Sequence, residues 1–472
     1  MKKSFFIFLM FTALAFVSCS ESNPVLTIEG GQITGVQTPT AGVIAYKGIP
    51  FAAPPLGDLR WKEPQPVIPW EGVKVADTYG DAAEQITWDP ESFYGREWRA
   101  SGSVPFSEDC LYLNIWTPAA GKTNRKLPVA MWIHGGGYRE GFAYEPEMDG
   151  GEYWATKGVI LVQVTYRLGV IGFFSHPLLT AESPNGVSGN YGLLDQVAAL
   201  KWIHNNIEQF GGDPGNITIF GQSAGAGSVQ SLCASPLSRN LISHAISMSG
   251  GGLSEIRPGI LLDTAQMANK VMMDYFQKVT LDEMRAISFG ELIKMSGDYT
   301  AATNKRVMWG PVVDNYLLEG TFTKVAQAGE IADIPYMFGF TANDMIDMTK
   351  AVADFCALRA EQSSKPAYAY LFARQLPGDE NGAFHSADLW YVFHAFEHSW
   401  RPFTKGDEAL SNKIVDCWTN FAKFGDPNGG EAGVWTPYSA EQSEFMVFDV
   451  EGDEAACTMT GTPEFKGPSP RK

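Results

Sequence analysis

The residues with the clearest capacity for chemistry are Ser223 and its neighbours. Gly221-Gln222-Ser223-Ala224-Gly225 follows a β-branched and aromatic run, Ile217 to Phe220, and leads into small residues that can open a helix. A strand–turn–helix context of this kind forces a serine outward on a sharp turn, with its hydroxyl exposed as a nucleophile. The flanking glycines supply backbone freedom and let neighbouring chain approach without a Cβ in the way. Glycine makes up 49 of 472 residues, so the five-residue pattern acquires meaning only if partners follow in the right order.

A nucleophilic serine needs a base, an acid to orient that base, and donors for the oxyanion that develops during attack. In the known hydrolases built on such a nucleophile elbow, the acid and then the histidine follow the serine along the chain. Of the seven histidines, His134, His176 and His204 precede Ser223, and His244 follows too closely to leave room for an acid. His385, His394 and His398 remain. His385 lies in Gly382-Ala383-Phe384-His385-Ser386, read as a loop entering a helix over 386–399, and His394 and His398 read as structural residues of that helix. Asp344 follows a strand expected over 334–340, where an acid would stand at a strand's carboxyl end, and Asp347 and Asp314 are its rivals. His134-Gly135-Gly136-Gly137 closes another expected strand. Three glycines there can turn successive N–H groups into one cavity, completed by Ala224 N–H.

These groups must be held by a sheet. Leu127 to Ile133 and Gly158 to Thr165 are continuous apolar runs, as expected of strands covered on both faces. Asn190 to Phe210 carries apolar residues at helical spacing and is stopped by Gly211-Gly212-Asp213-Pro214, after which the serine's strand begins. Further strands are expected at 244–249 and 367–372, and helices at 262–278 and 408–423. Short alternating segments from Val25 to Tyr46 read as antiparallel strands. The fold class is therefore α/β: a doubly wound, mostly parallel sheet with a small antiparallel N-terminal sheet.

The first 18 residues stand apart. Lys2 and Lys3 precede an apolar run from Phe5 to Val17, followed by small residues, the pattern of a signal peptide. The tail Phe16-Val17-Ser18-Cys19 resembles a bacterial lipobox, with Cys19 as the lipidated residue. Because Phe16 is not the usual residue three before the cysteine, ordinary signal cleavage is the alternative, and either implies export, to the periplasm or anchored at the cell surface. Removing residues 1–18 moves the formal charge from −18 to −20. Such a surface repels nucleic acid and anionic lipid headgroups. Six cysteines without CxxC spacing give no zinc finger and no assignable disulfide framework.

Over roughly residues 25–460 the chain resembles the type-B carboxylesterases, the cholinesterase-like branch of the α/β-hydrolases. The resemblance is carried by KGIPFAAPPLGDLRW (47–61), SEDCLYLNIW (107–116), HGGGY (134–138), GQSAGAGS (221–228), GPVVD (310–314), GFTAND (339–344), FHSADLWYVF (384–393) and WTNFAKFGDPN (418–428). It implies one catalytic domain over 24–463. Its implied roles are Ser223 as nucleophile, His385 as base, and Gly136, Gly137 and Ala224 as the oxyanion hole. The activity implied is ester hydrolysis through an acyl-enzyme, with no cofactor and no metal. Aromatic or hydroxycinnamoyl esters fit among small to medium carboxylic esters.

Four departures stand out. The family's usual Glu-Gly is here Asp344-Met345, and the Glu that often precedes the serine is Gln222. No cysteine lies between 19 and 110 to pair with Cys110, and only 41 residues separate Asp344 from His385, which implies a more open site. Two other readings compete. His394-Ala395-Phe396-Glu397-His398 matches a zinc-peptidase pattern if it is helical. A non-catalytic binding module would share the fold but not need the triad. Tyr138, Trp309 and Trp390 lie near the motifs and could line a pocket or simply pack.

Overall fold

The computed structural model describes residues 23–87, 89–98, 104–254, 259–429 and 434–471. The signal segment and Cys19 lie outside the described residues. Eleven strands form the main sheet: β1 (Val36–Gln37), β2 (Ile44–Pro50), β3 (Tyr112–Thr117), β4 (Leu127–Ile133), β5 (Ile160–Val164), β6 (Gly212–Gln222), β7 (His244–Met248), β8 (Tyr336–Thr341), β9 (Ala367–Phe372), β10 (Phe445–Glu451) and β11 (Glu454–Thr460). Their spatial order is β11-β10-β9-β8-β7-β6-β4-β5-β3-β2-β1. The pairs from β10 through β5 are parallel, and both edges are antiparallel. This is an α/β-hydrolase fold. Val25–Ile28 pairs antiparallel with Gly31–Thr34, which pairs parallel with Val73–Val75, so the small sheet is mixed.

The chain steps from β4 outward to β5 and then crosses back to add β6 on β4's other side. At such a reversal the carboxyl ends of the strands open a crevice. The run of buried residues in β4, β5, β8 and β9 matches strands covered by helices on both faces. Helix α1 (Tyr191–Asn206) precedes β6, α2 (Ala224–Ala234) follows it, and α3 (Thr349–Gln362) and α4 (Lys405–Phe424) pack on the parallel half.

Two arrangements fix the strand that ends at Ser223. Phe220 of β6 packs between the rings of Trp132 and Trp154, each 4.9 Å from it, with Phe393 at 5.9 Å. Burying a phenylalanine this way is worth about 1.5–3 kcal/mol. Beneath the turn after β5, Arg167 grips Asp195 of α1 through Nε at 2.8 Å and Nη2 at 2.7 Å, both side chains fully buried. The backbone N–H of Arg167 also donates to that carboxylate at 3.0 Å, so Asp195 accepts three bonds from this one residue.

Where the sequence suggested one helix over 386–399, the chain makes a short helix, Leu389–Val392, and a separate 3-10 turn, Phe396–His398. His394 takes a left-handed φ of 54°, which a helix does not tolerate, and the Tyr153 ring stacks on it at 4.1 Å. The five residues 394–398 thus have no common helical face. His394 Nδ1 pairs with Ser411 Oγ at 2.8 Å, His398 faces Asp149, and no metal-holding cluster occurs among the described residues. Cys110, Cys233, Cys356, Cys417 and Cys457 are all free thiols, the first four buried.

Candidate active site

The elbow is built by steric necessity. Ser223 sits between β6 and α2 with φ 57° and ψ −119°, a conformation costing on the order of 1–3 kcal/mol. A Cβ on Gly225 would lie 2.0 Å from Ile133 O, and one on Gly221 would lie 2.6 Å from Gly225 O. Only glycine fits at either place. Ser223 N–H donates to Met248 O at 2.8 Å, which ties the strained residue to β7. Its side chain is partly exposed while Gln222 and Ala224 are buried.

The glycine loop after β4 lies against this turn. A Cβ on Gly135 would meet Ser223 Cβ at 3.2 Å and Gln222 O at 2.8 Å. Gly136 (φ 91°), Gly137 (φ 65°) and Tyr138 (φ 62°) then turn sharply, closed by Arg139 N–H donating to Gly136 O at 3.0 Å. Gly136 could not be any other residue, because its Cβ would fall 1.8 Å from Glu140 O. His134 is a support: Tyr166 OH donates to its carbonyl at 2.8 Å, and burial pushes the imidazole pKa down to about 4.

Asp344 follows β8 and is wholly buried. Its Oδ1 lies 2.6 Å from His385 Nδ1 and accepts from Met345 N–H at 2.7 Å. Burial pushes its pKa up, but the His385 charge and hydrogen bond outweigh this and hold the carboxyl below its usual range. The rival acids sit elsewhere. Asp347 is exposed and accepts from Thr349 N–H at 2.8 Å, at the start of α3. Asp314 accepts three backbone N–H bonds, from Tyr316, Leu317 and Leu318, and caps its own turn.

With Nδ1–H donating to Asp344, the neutral His385 ring offers a lone pair at Nε2. The Gln222 amide nitrogen lies 3.2 Å from that atom. A glutamine here therefore donates to this imidazole nitrogen where a carboxylate would instead have attracted a proton. On the other side Tyr94 OH donates to His385 O at 3.0 Å, and Phe93 packs edge-on against Phe384 at 5.0 Å.

Several positioning groups had no local signature. Asn343, beside the acid, accepts from Ala383 N–H at 3.0 Å through Oδ1 and donates to Gly467 O at 3.0 Å through Nδ2. Its own N–H donates to Ala383 O at 2.9 Å, and its carbonyl accepts from Ser469 N–H at 3.2 Å. One residue thus joins the acid loop, the histidine loop and the C-terminal segment. Asp388, three residues past the histidine, is buried; burial and the nearby Asp344 charge raise its pKa to about 7. Trp390, a pocket candidate from the sequence, is instead core, and its indole donates to Glu97 at 3.0 Å. Trp309 is likewise engaged, donating to Asn269 at 3.0 Å.

This geometry accords with what the chain matches. The carboxylesterase family model covers residues 22–356 and 348–462. The chain belongs to the carboxylesterase family. Relatives include a fumonisin B1 esterase of Sphingopyxis macrogoltabida, 32% identical over 94% of this chain and 88% of the relative. A para-nitrobenzyl esterase of Bacillus subtilis (strain 168) is 30% identical over 91% of this chain and 96% of its own length. A human cocaine esterase is 31% identical over 90% of this chain and 88% of its own. Among solved structures, a thermophilic PNB esterase superposes with a TM-score of 0.78 at 29% identity, covering 93% of this chain and 98% of that one. As a member of this carboxylesterase family, the protein is a carboxylic ester hydrolase acting on small-molecule esters.

Proposed function

We propose that this carboxylesterase works through an acyl-enzyme on Ser223, with His385 as base and Asp344 as the acid that orients it. The single observation carrying this reading is the buried 2.6 Å contact between Asp344 and His385 Nδ1 in the loops beside the Ser223 elbow. That contact holds the imidazole with its Nε2 lone pair turned away from Asp344, towards the Gln222 amide nitrogen 3.2 Å off. The Ser223 hydroxyl gives its proton to Nε2 as its oxygen attacks the ester carbonyl. Backbone N–H groups of Gly136, Gly137 and Ala224 take the negative charge that develops on the carbonyl oxygen. The imidazolium, stabilised by ionised Asp344, then protonates the departing alcohol, and water repeats the sequence to free the acid. The Gln222 amide must yield its place on Nε2 as the serine proton arrives.

The partly exposed Ser223 and exposed Gly137 support an open mouth that admits small to medium esters, aromatic and hydroxycinnamoyl acids among them. The paired lysines and apolar run at the N-terminus support export, with Cys19 as a lipid anchor. Incubation with an organophosphate, followed by peptide mass mapping, tests the assignment. An adduct on the peptide holding Ser223 is expected; labelling at another residue with full loss of activity would sink it. Nitrophenyl esters of graded acyl length, with a feruloyl ester beside them, read the substrate range.

A further inference from the structure

The turn that shapes the glycine loop also aims a charged side chain back at it. Arg139 N–H and Glu140 N–H both donate to Gly136 O, at 3.0 and 3.1 Å, which fixes the start of the Arg139 side chain. A Cβ built on Gly137 would have two neighbours within 4 Å, Arg139 Nε at 3.6 Å and Nη2 at 3.7 Å. The guanidinium therefore lies over Gly137, one of the two exposed faces of the mouth, and Arg139 is itself exposed. Six other arginines among the described residues pair with carboxylates: Arg60 with Glu108, Arg167 with Asp195, Arg285 with Glu182, Arg359 with Asp333, Arg374 with Asp407 and Arg401 with Glu97. Among the described residues no carboxylate comes within 4.0 Å of Arg139. Glu140 is the charged group beside it; burial raises the Glu140 pKa and the Arg139 charge draws it partly back.

The rest of the molecule works against an anionic ligand, because the formal charge is −18. A cation without an ion pair at the edge of the Gly136–Gly137 loop supplies a local positive charge there, with half-buried Glu140 as its charged neighbour. We infer that Arg139 forms a subsite for a carboxylate carried a few bonds from the scissile carbonyl, so that half-esters of dicarboxylic acids are favoured substrates. Three or four C–C bonds of about 1.5 Å span on the order of 4–5 Å, enough to link a carbonyl at Gly137 N–H to a guanidinium over the same residue. Arginine suits this role because its planar fork matches a carboxylate and it never loses its charge. This rests on the ester hydrolase reading above and adds a preference to it.

The test compares monomethyl glutarate with its neutral shape analogue, methyl 5-methylhexanoate, by pH-stat titration of full-length protein. The readout is the ratio of kcat/KM for the anionic ester to that for the neutral one. In Arg139→Gln the ratio should fall about tenfold, and further in Arg139→Glu, a value between the roughly fourfold expected for unit charges about 5 Å apart in bulk water and the roughly 300-fold at an effective dielectric constant of about 20. In the parent protein the ratio should also fall as salt rises from about 20 mM to 500 mM, since an exposed pair is screened. Organophosphate titration of each variant counts competent sites and separates misfolding from lost recognition. A ratio that stays within twofold in both variants overturns the subsite while leaving the hydrolase reading intact. A parent protein that labels at Ser223 but cleaves neither ester overturns the substrate class.

Discussion

Asn343→Ala should separate the holding of the triad from the triad itself. The side chain makes two hydrogen bonds, from Ala383 N–H at 3.0 Å and to Gly467 O at 3.0 Å. Ala383 is 1% exposed, so removing the acceptor leaves a buried N–H without a partner, at a cost of about 1–3 kcal/mol. The bond to Gly467 adds roughly 0.5–1.5 kcal/mol. Together about 2–4 kcal/mol is lost from the junction that sets how far Asp344 stands from His385. A displacement on the order of 1 Å can cost about a hundredfold in rate. The expectation is a kcat 10- to 100-fold lower, by these same arguments, with KM moved less than about threefold because the Asn343 side chain is spent on Ala383 and Gly467. Asn343→Asp keeps the acceptor for Ala383 and should restore part of the rate. Gly382→Ala should mimic the loss, since its Cβ would fall 2.2 Å from Asn343 Oδ1 at a φ of 70°. Steady-state kinetics and thermal melts on the three variants decide it. A full kcat alongside a lowered Tm in Asn343→Ala would refute the coupling and leave Asn343 a structural residue only.

Other outcomes follow from the same geometry. Asp344→Asn should lower kcat by roughly 10⁴-fold by fixing the wrong tautomer, whereas Asp347→Asn should change it less than about twofold; equal effects would mean that the acid is misassigned. Gln222→Glu sets a carboxylate in place of an amide 3.2 Å from Nε2, so the acidic limb of the kcat/KM profile should move up by about one to three pH units. An unmoved limb would show that Gln222 does not govern the base. Buried acids make the fold sensitive to alkali: the Asp388 pKa is raised to about 7 and that of Glu145 to about 8, both chiefly by burial. A carboxyl whose pKa is raised on folding stabilises most below its unfolded value and loses that contribution as pH climbs through the folded value. Stability should therefore decline between about pH 4 and 8, and Asp388→Asn should flatten part of that slope in urea melts; a parent slope that Asp388→Asn leaves unchanged would contradict the burial argument.

What could be read from the chain was what local sequence enforces. Ser223 and its glycines announced themselves because a turn that tight excludes a Cβ at 221 and 225, and Gly136 is fixed by the same kind of crowding. Strand β9 spans 367–372, the residues expected to form it. The helix expected over 386–399 failed because Ser386 and His394 adopt left-handed φ values, 79° and 54°, that propensity does not foresee. With it went the helical face on which a zinc pattern would depend. Asn343 and Asp388 were invisible for another reason. Their work depends on partners far along the chain, Gly467 for one and Tyr370 for the other, and only tertiary packing brings those together. Arg139 belongs to the same class, since nothing local says that a guanidinium will fold back over Gly137.

The claim on which the rest depends is that Ser223 becomes acylated. Rapid-quench mixing of the protein with a 4-nitrophenyl ester, followed by mass analysis of the peptides, reads it directly. The account predicts a nitrophenolate burst matching the protein concentration and an acyl mass on the peptide containing Ser223, both absent in Ser223→Ala. Steady turnover with no burst and no acylated peptide, or turnover that persists in Ser223→Ala, would contradict it.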